Sequence, residues 1–491
     1  MITLIQNATS YLERIALRSD GINYTYEQIL NSSEGIALEL LAGRQHLEEE
    51  RIAFLVPPGF DYVAIQWAIW RAGGIAVPLC VKHPLASIKY VIEDTEASII
   101  VYSEEFESLL APLKTITGIR FMVSEKFMGR QGLLPDISLD QRAMILYTSG
   151  TTGNPKGVVT THRNLEAQIT SLTTSWEWNQ DDHILNVLPL HHVHGIVNVL
   201  SCALWSGACC QFLAKFDADE IFEVFCKNEV NVFMAVPTIF YKLISNWNEL
   251  SEEKQQKISN ALKDFRLMVS GSAALPISVL ENWRHLSGHI LLERYGMTEM
   301  GMAISNPYHG ERKPGFIGQA LSGVQIRLAD EDNNSVGENA PGEIQIKGLN
   351  VFKEYWNKAE ATKGAFTADG WFKSGDIAIS ENASYRILGR KSVDIIKSGG
   401  YKISALEIEE VLRSYDQIKD CAVVGIPDDE WGEIIGASLI LGSNEFNLDQ
   451  LKEWLKENLP VYKFPRKYIF QEELPRNVMG KVTKNELKKM F

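Results

Sequence analysis

A chain of 491 residues exceeds what one hydrophobic core ordinarily organises, so two or more domains are expected. With 45% hydrophobic and 22% charged residues the composition is globular, and a formal net charge of −14 excludes the basic face of a general nucleic-acid binder. A polyanionic small molecule is not excluded, because a local site can be basic on an acidic protein. The six cysteines (Cys80, Cys202, Cys209, Cys210, Cys226 and Cys421) form neither a CxxC pair nor a Cys/His zinc spacing, which points to free thiols in a reducing compartment. Met1 to Ser10 shows no basic cluster followed by an apolar core, so no leader peptide is expected and the chain reads as cytoplasmic.

In chain order, Arg51 to Leu55 reads as a strand. The apolar run Tyr62 to Val81 is interrupted by Gln66, Arg71, Gly73, Gly74 and Pro78, which predicts a helix and then a buried strand rather than a membrane span. Ala97 to Tyr102 and Ala143 to Leu146 are further strands, and His162 to Ser171 reads as a helix. Alternation of this kind up to about Leu388 predicts an α/β fold: a large N-terminal domain of α/β subdomains with largely parallel sheets. From Gly315 the texture changes. Val324 to Leu328 and Gly342 to Lys347 alternate as a small antiparallel, β-barrel-like subdomain would. After Gly389-Arg390, a helix (Ala405 to Tyr415), a strand (Cys421 to Ile426), a helix (Leu448 to Asn458) and a basic tail have the size of a separate α+β domain. The expected division is 1–389 and 390–491.

The run from Tyr147 to Gly157 carries the strongest local signal. It gathers Gly150, Gly153, the hydroxyls of Thr148, Ser149, Thr151 and Thr152, and Lys156 in one loop. Backbone N–H groups and hydroxyls there can face a polyphosphate while Lys156 neutralises charge. Pro155 stands where a Walker A loop needs its Gly-Lys-Ser/Thr ending, so that motif is excluded. Taken with the strand before it and the helix after it, the layout is that of a nucleotide site, although such a loop alone can be only a polar turn.

Further motifs follow in order: Leu188-Pro189-Leu190-His191-His192-Val193-His194-Gly195, Glu293-Arg294-Tyr295-Gly296-Met297-Thr298-Glu299, Gly370 to Asp376, Gly389-Arg390, and Pro475-Arg476-Asn477-Val478-Met479-Gly480-Lys481. With the glycine loop they resemble, over nearly the whole chain, the acyl-adenylate-forming superfamily of acyl-CoA synthetases, luciferases and peptide-synthetase adenylation domains. The resemblance implies ATP, Mg²⁺ and coenzyme A as cofactor and co-substrates. It implies that a carboxylate attacks the α-phosphate of ATP, expelling pyrophosphate, chemistry served by positioning and electrostatics. It further implies that 1–389 binds ATP and acid, while 390–491 is a mobile lid.

Residue by residue, the resemblance makes Lys481 the lysine that bridges carboxylate and α-phosphate, Thr298 a phosphate-contacting hydroxyl and Glu299 the Mg²⁺ carboxylate. Lys484, Lys488 and Lys489 are left as solvated tail lysines. Thr148, Ser149, Gly150, Thr151, Thr152, Gly153 and Lys156 would cradle pyrophosphate. Asp376 would accept the ribose hydroxyls beside Arg390, Tyr295 and Gly296 would face adenine, and the Ser272-Ala273-Ala274 turn would wall the base. Ser398, Gly399, Gly400 and Tyr401 resemble the segment lining the pantetheine tunnel, and Ser392 holds the hinge place, although relatives more often carry Asp or Lys there.

The acid is indicated by Arg294. An arginine beside the Tyr-Gly-Met-Thr-Glu run shortens the pocket and places a planar cation at its end, which suits the second carboxylate of a short diacid. The motif Leu292 to Glu299, with Asn231 to Thr238 and Ser392 to Lys397, is similar to the malonyl-CoA and methylmalonyl-CoA synthetases of the acyl-CoA synthetase family member three type. The bland alternative is a structural pair between Arg294 and Glu293. His192 occupies the gate beside the acid pocket and His194 the same wall, or both are packed core histidines. The expected partners are malonate or a related diacid, ATP and coenzyme A, with no nucleic acid and no membrane. The alternatives are another short or medium acid on the same mechanism, a fold retained for binding without turnover, and a domain loading a carrier protein.

Overall fold

Four sheets organise the described residues of the computed structural model, which are 2–115, 118–124, 131–148, 155–213, 215–442, 446–476 and 481–491. The largest has nine strands. Its middle is parallel, with Ile15–Ser19, Cys209–Phe212, His183–Asn186, Val232–Ala235, Leu267–Ser270 and Leu292–Met297 side by side. Val232–Ala235 and Leu267–Ser270 are buried throughout, so their sequences, apart from the buried Ser270, are apolar without alternation. Antiparallel strands close both edges: Ile22–Thr25 on one side, Gly301–Ser305 and Gln319–Ala320 on the other.

In the seven-stranded sheet, Arg51–Leu55 lies between Ile75–Pro78 and Ile99–Tyr102, all parallel, and the helix Phe60–Arg71 precedes Ile75–Pro78 as expected. Arg142–Thr148 pairs parallel with Ile75–Pro78. Here the structure corrects the expected strand–loop–helix layout. Lys156–Thr161 is itself a strand, antiparallel to Arg142–Thr148, with Thr148 opposite Lys156. The helix His162–Ser175 therefore begins one strand later than expected, behind a Thr161 capping box. The β-branched run Val158 to Thr161 was the sequence signal for that strand. Ser149, Gly150, Thr151, Thr152 and Gly153 lie outside the described residues. Glu354–Tyr355 adds to the open edge of Lys156–Thr161 and so brings the next subdomain against the hairpin.

The third sheet has four antiparallel strands, Val324–Ala329, Gly342–Gly348, Phe372–Glu381 and Ser384–Arg390. A register break between Ile377 and Ala378 bends it beside the Asp376–Arg390 pair. The last sheet joins Tyr401–Ser404, Ile395–Ser398, Gly432–Leu441, Ile418–Asp428 and Lys467–Phe470. Helices Ala405–Arg413 and Leu448–Asn458 bury Ile408, Leu412, Leu451 and Leu455 on it, in a core drawn only from residues after Ile395. The main core, by contrast, runs from Ile2 to Ala378. All six cysteines are free, and among the described residues no helix is long and apolar enough to cross a membrane.

Candidate active site

The site begins at the strand Leu292–Met297, whose successive side chains point to opposite faces. Arg294 is 3% exposed and runs beneath Gly271, where a Cβ would come within 2.5 Å of the guanidinium carbon. Glycine is therefore needed at 271 to admit the arginine, a requirement the sequence alone did not disclose. Arg294 Nη2 donates to Ser272 Oγ at 3.3 Å, and the same hydroxyl lies 3.2 Å from His194 Nδ1. Ser272 holds a left-handed backbone, φ 70°, which is strained for a residue with a side chain and aims it into this cluster. Its side chain thus serves Arg294, while Ala273 and Ala274 are exposed on the same turn.

Arg294 Nε and Nη1 are buried with no hydrogen-bond partner. Burial alone presses its pKa down to about 9, so it is still charged at neutral pH, and among the described residues no acid pairs with it. Glu293 faces away. It accepts hydrogen bonds from the backbone of Gly315 and Leu275, and burial lifts its carboxyl to about 8, so it is protonated at neutral pH. The Glu293–Arg294 pair is thereby excluded. A buried cation with two N–H groups unmet is costly unless something anionic completes it.

His194 opens a π-helical segment, His194–Ser201, a form concentrated at functional sites. His192 and His194 each leave Nε2 buried and unpartnered. Burial, with a smaller contribution from Lys481, lowers His192 to about 4, and burial with Arg294 holds His194 well below its ordinary value. Both rings are neutral at pH 7. His191 packs against His192 with ring centres 4.0 Å apart and the planes tilted by 49°. In space, Cys80, His83 and His191 bring one potential ligand atom each within 4.8 Å of one another, a grouping no sequence spacing revealed.

The neighbouring Tyr295 turns toward the antiparallel subdomain. Its hydroxyl donates to Asp376 Oδ2 at 2.5 Å, and Arg390, opposite Asp376 in the sheet, sets its Nε 3.7 Å from Oδ1. Burial raises the Asp376 pKa, and Arg390 opposes that shift. Gly296 admits no side chain: a Cβ would sit 2.1 Å from the Gly301 carbonyl oxygen. Thr298 and Glu299 follow in the turn, and Glu299 is buried. Tyr355, which the sequence did not mark, donates to Glu299 Oε1 at 2.9 Å, and Lys156 Nζ lies 5.0 Å from the centre of its ring. Burial raises the Glu299 pKa, and the Tyr355 hydrogen bond lowers it. A fixed carboxylate suits Mg²⁺, which takes one or two carboxylates and leaves its other positions to phosphate oxygens and water.

Lys481 arrives from the C-terminal segment. Its side chain is exposed, yet crowding by the surrounding walls, and next Arg390, push its ammonium pKa down, while Asp376 and Glu299 pull it up. Arg390, Asp376, Arg294 and Glu299 are thus all within electrostatic reach of Lys481. Lys484 corrects the reading of the tail as solvated: it is 9% exposed and bound by two carboxylates. Ser392 is exposed in the turn after Arg390. Ser398 to Tyr401 form the bend of the hairpin Ile395–Ser398/Tyr401–Ser404, with Gly399 and Gly400 both at positive φ. Among the described contacts this bend meets Trp431 and Tyr462 rather than the Arg294 and Asp376 clusters.

The AMP-binding enzyme family matches residues 4–356, and the AMP-binding enzyme C-terminal domain matches 407–481. The mitochondrial malonate–CoA ligase ACSF3 of Mus musculus is 44% identical, covering 99% of this chain and 90% of its own. ATP-bound MatB from Rhodopseudomonas palustris superposes with a TM-score of 0.91 at 32% identity, covering 100% of this chain and 99% of that one. Apo MatB from the same organism gives 0.81 at 31% identity with the same coverage, so the arrangement described above lies nearer the ATP-bound form. The chain belongs to the AMP-binding enzyme family.

Proposed function

We propose that this protein is an ATP-dependent malonate–CoA ligase acting through malonyl-adenylate. The observation that carries the reading is Arg294: a buried, charged guanidinium with Nε and Nη1 unmet and, among the described residues, no acid paired with it. The parallel N–H pairs of a guanidinium lie along its Nε/Nη2 and Nη1/Nη2 edges, and each edge here keeps one unmet nitrogen, so a carboxylate can dock on either through charge-assisted bonds. Because Arg294 immediately precedes the nucleotide-facing Tyr295, a diacid anchored there has room for only a short chain before its second carboxylate reaches ATP. The malonate–CoA ligases among the relatives support the same substrate.

In this reading the distal carboxylate of malonate binds Arg294 and Ser272, and His192 and His194, both neutral, offer polarity without competing charge. The free carboxylate attacks the α-phosphorus of ATP, forming the mixed anhydride as pyrophosphate leaves. Lys481 bridges the two anions and stabilises charge as it develops on phosphorus. Asp376, held by Tyr295 and Arg390, takes the ribose hydroxyls, with the Ser272-Ala273-Ala274 turn and Gly296 framing the base. Thr148 to Gly153 and Lys156 accommodate the leaving pyrophosphate with Thr298. Glu299 would hold Mg²⁺, which supplies charge neutralisation at the phosphates. The thiol of coenzyme A then attacks the acyl carbon and AMP departs, with Ser398, Gly399, Gly400 and Tyr401 lining the pantetheine path. The division into 1–389 and 390–491, with rotation about Ser392 between half-reactions, belongs to this proposal and is supported by the separate apolar core after Ile395.

Pyrophosphate exchange across a panel of acids tests the substrate. Malonate should lead, methylmalonate should follow within the ~1–3 kcal/mol that one methyl commands, and acetate and hexanoate should trail. A lead for either monoacid would overturn the assignment. A cytoplasmic location is proposed on the free thiols, which need a reducing compartment. Cell fractionation tests it, with a mitochondrial location, as in the named mouse relative, as the contrary result.

A further inference from the structure

One lysine of the basic tail is not a surface residue. Lys484 Nζ lies 2.6 Å from Asp394 Oδ1 and 2.6 Å from Glu409 Oε1. Each carboxylate is already committed elsewhere. Asp394 Oδ2 accepts the Arg390 N–H at 3.0 Å, and Glu409 Oε1 accepts the Val423 N–H at 2.8 Å. Asp394 is fixed by its backbone as well, donating to the Arg390 carbonyl and accepting from Ala405 N–H, both at 2.8 Å. Lys484 therefore ties the tail to the turn after Arg390, to the helix Ala405–Arg413 and to the strand Ile418–Asp428.

The placement bears on catalysis because of what lies at each end of this chain of contacts. Lys484 is joined to Lys481 by only Val482 and Thr483, and the Thr483 N–H is itself held by the Pro475 carbonyl at 2.8 Å. Arg390, at the other end, faces Asp376. The Asp394–Arg390 bond also spans Ser392, so a rotation there breaks it, while the Lys484–Asp394 bond travels with the small region. We infer that Lys484, acting through Asp394, is a positioning residue for adenylation, setting the Lys481 segment against the Arg390 turn. This rests on the reading of Lys481 as the adenylation lysine.

The test uses the full chain with Lys484→Met, Lys484→Arg and Asp394→Asn. It compares malonate-dependent pyrophosphate exchange, thioester formation from supplied malonyl-adenylate, and thermal melting. Lys484→Met should lower the kcat of exchange by about 10²-fold, the scale of a misplaced catalytic group, and leave the thioester step within about threefold of wild type. Lys484→Arg should restore most of the exchange. Asp394→Asn keeps shape and should lower exchange by about tenfold with melting little changed, because one charge-assisted bond is lost. Equal loss in both half-reactions, or unchanged exchange, overturns the inference. Should Lys484→Met fail to fold through its two stranded carboxylates, Asp394→Asn decides alone by the same criteria. Lys481→Ala, run in parallel, separates the two readings. If it retains exchange, the assignment of Lys481 has failed; if it loses exchange while the Lys484 and Asp394 variants do not, only this inference has.

Discussion

The ends of the site proposed for the acid and for the nucleotide are built on opposite electrostatic plans. At the acid end Arg294 is buried with Nε and Nη1 unmet, and the polar groups beside it, Ser272 and the neutral His194, carry no countercharge. At the nucleotide end the acids have partners: Asp376 is held by Tyr295 and Arg390, and Glu299 by Tyr355. The difference follows from what each end must do. A group that sets the shape of a pocket is stabilised by a protein partner, whereas a charge left unpaired in a buried place gains its partner only when substrate arrives. The plans differ in connectivity too. Arg294, Ser272 and His194 all stand on the nine-stranded sheet or its connections, whereas Lys481 must come from a region with its own core.

The sharpest way to break this contrast is at Lys481. Lys481→Ala should reduce malonate-dependent pyrophosphate exchange on the order of 10³-fold, the scale of removing one electrostatic stabiliser. Thioester formation from supplied malonyl-adenylate should persist, and equal loss in both assays would deny the lysine a role confined to the first step. Arg294→Gln comes next. It should lower kcat/KM for malonate by about 10²-fold, since a charge-assisted pair is worth roughly 1.5–3 kcal/mol, and should leave the KM for ATP nearly unchanged. If the variant still preferred malonate to acetate by the wild-type ratio, the unpaired cation would not be the acid's anchor.

Sequence reading reached the acid end by residue type and the nucleotide end by motif, and it stopped short for different physical reasons. An arginine in the Glu293-Arg294-Tyr295 run could be noticed, but whether Glu293 neutralised it depended on strand alternation and on burial. Both became visible only with the strand Leu292–Met297 in its sheet. The hydroxyl-rich loop was read as a phosphate feature, but its frame was misread, because a helix was expected directly after the loop and the β-branched strand Lys156–Thr161 was passed over. Tyr355 had no signal of its own, and Gly271 was read only as the start of the turn walling the base. One matters through a hydrogen bond from a distant strand, the other through space reserved for the Arg294 side chain. The tail shows the opposite failure: Lys484, Lys488 and Lys489 look alike in sequence, and only tertiary contact separates buried Lys484 from the other two.

A smaller effect is expected where the site is least assembled. Tyr401 is 56% exposed and stacks on Tyr462 with ring centres 4.6 Å apart, away from both charged clusters. Tyr401→Ala should raise the KM for coenzyme A by about fivefold, within the roughly 1 kcal/mol that an exposed aromatic contact commands, and leave pyrophosphate exchange untouched. A matching fall in exchange would place the hairpin bend in the first half-reaction and blur the division between the two steps.

The mildest test asks whether Glu293 belongs to the acid end at all. Burial raises its pKa from an ordinary 4.5 to about 8 in the folded chain. Below 4.5 both folded and unfolded chains carry the proton, and the group contributes nothing to pH dependence. Between that value and about 8 the unfolded chain releases the proton while the folded chain keeps it, so stability falls as pH rises; above about 8 the penalty stays constant. Glu293→Gln removes the titration while keeping a polar group of the same shape. Its melting temperature should therefore gain on wild type progressively from pH 5 to pH 8 and then hold a fixed lead, by a few degrees at most for a chain of this size. Its malonate-to-acetate preference at pH 7 should not move, because a protonated carboxyl on the opposite face of the strand is no counter-ion. A changed preference would mean that Glu293 shares its charge with Arg294, and the acid end would then be paired like the nucleotide end.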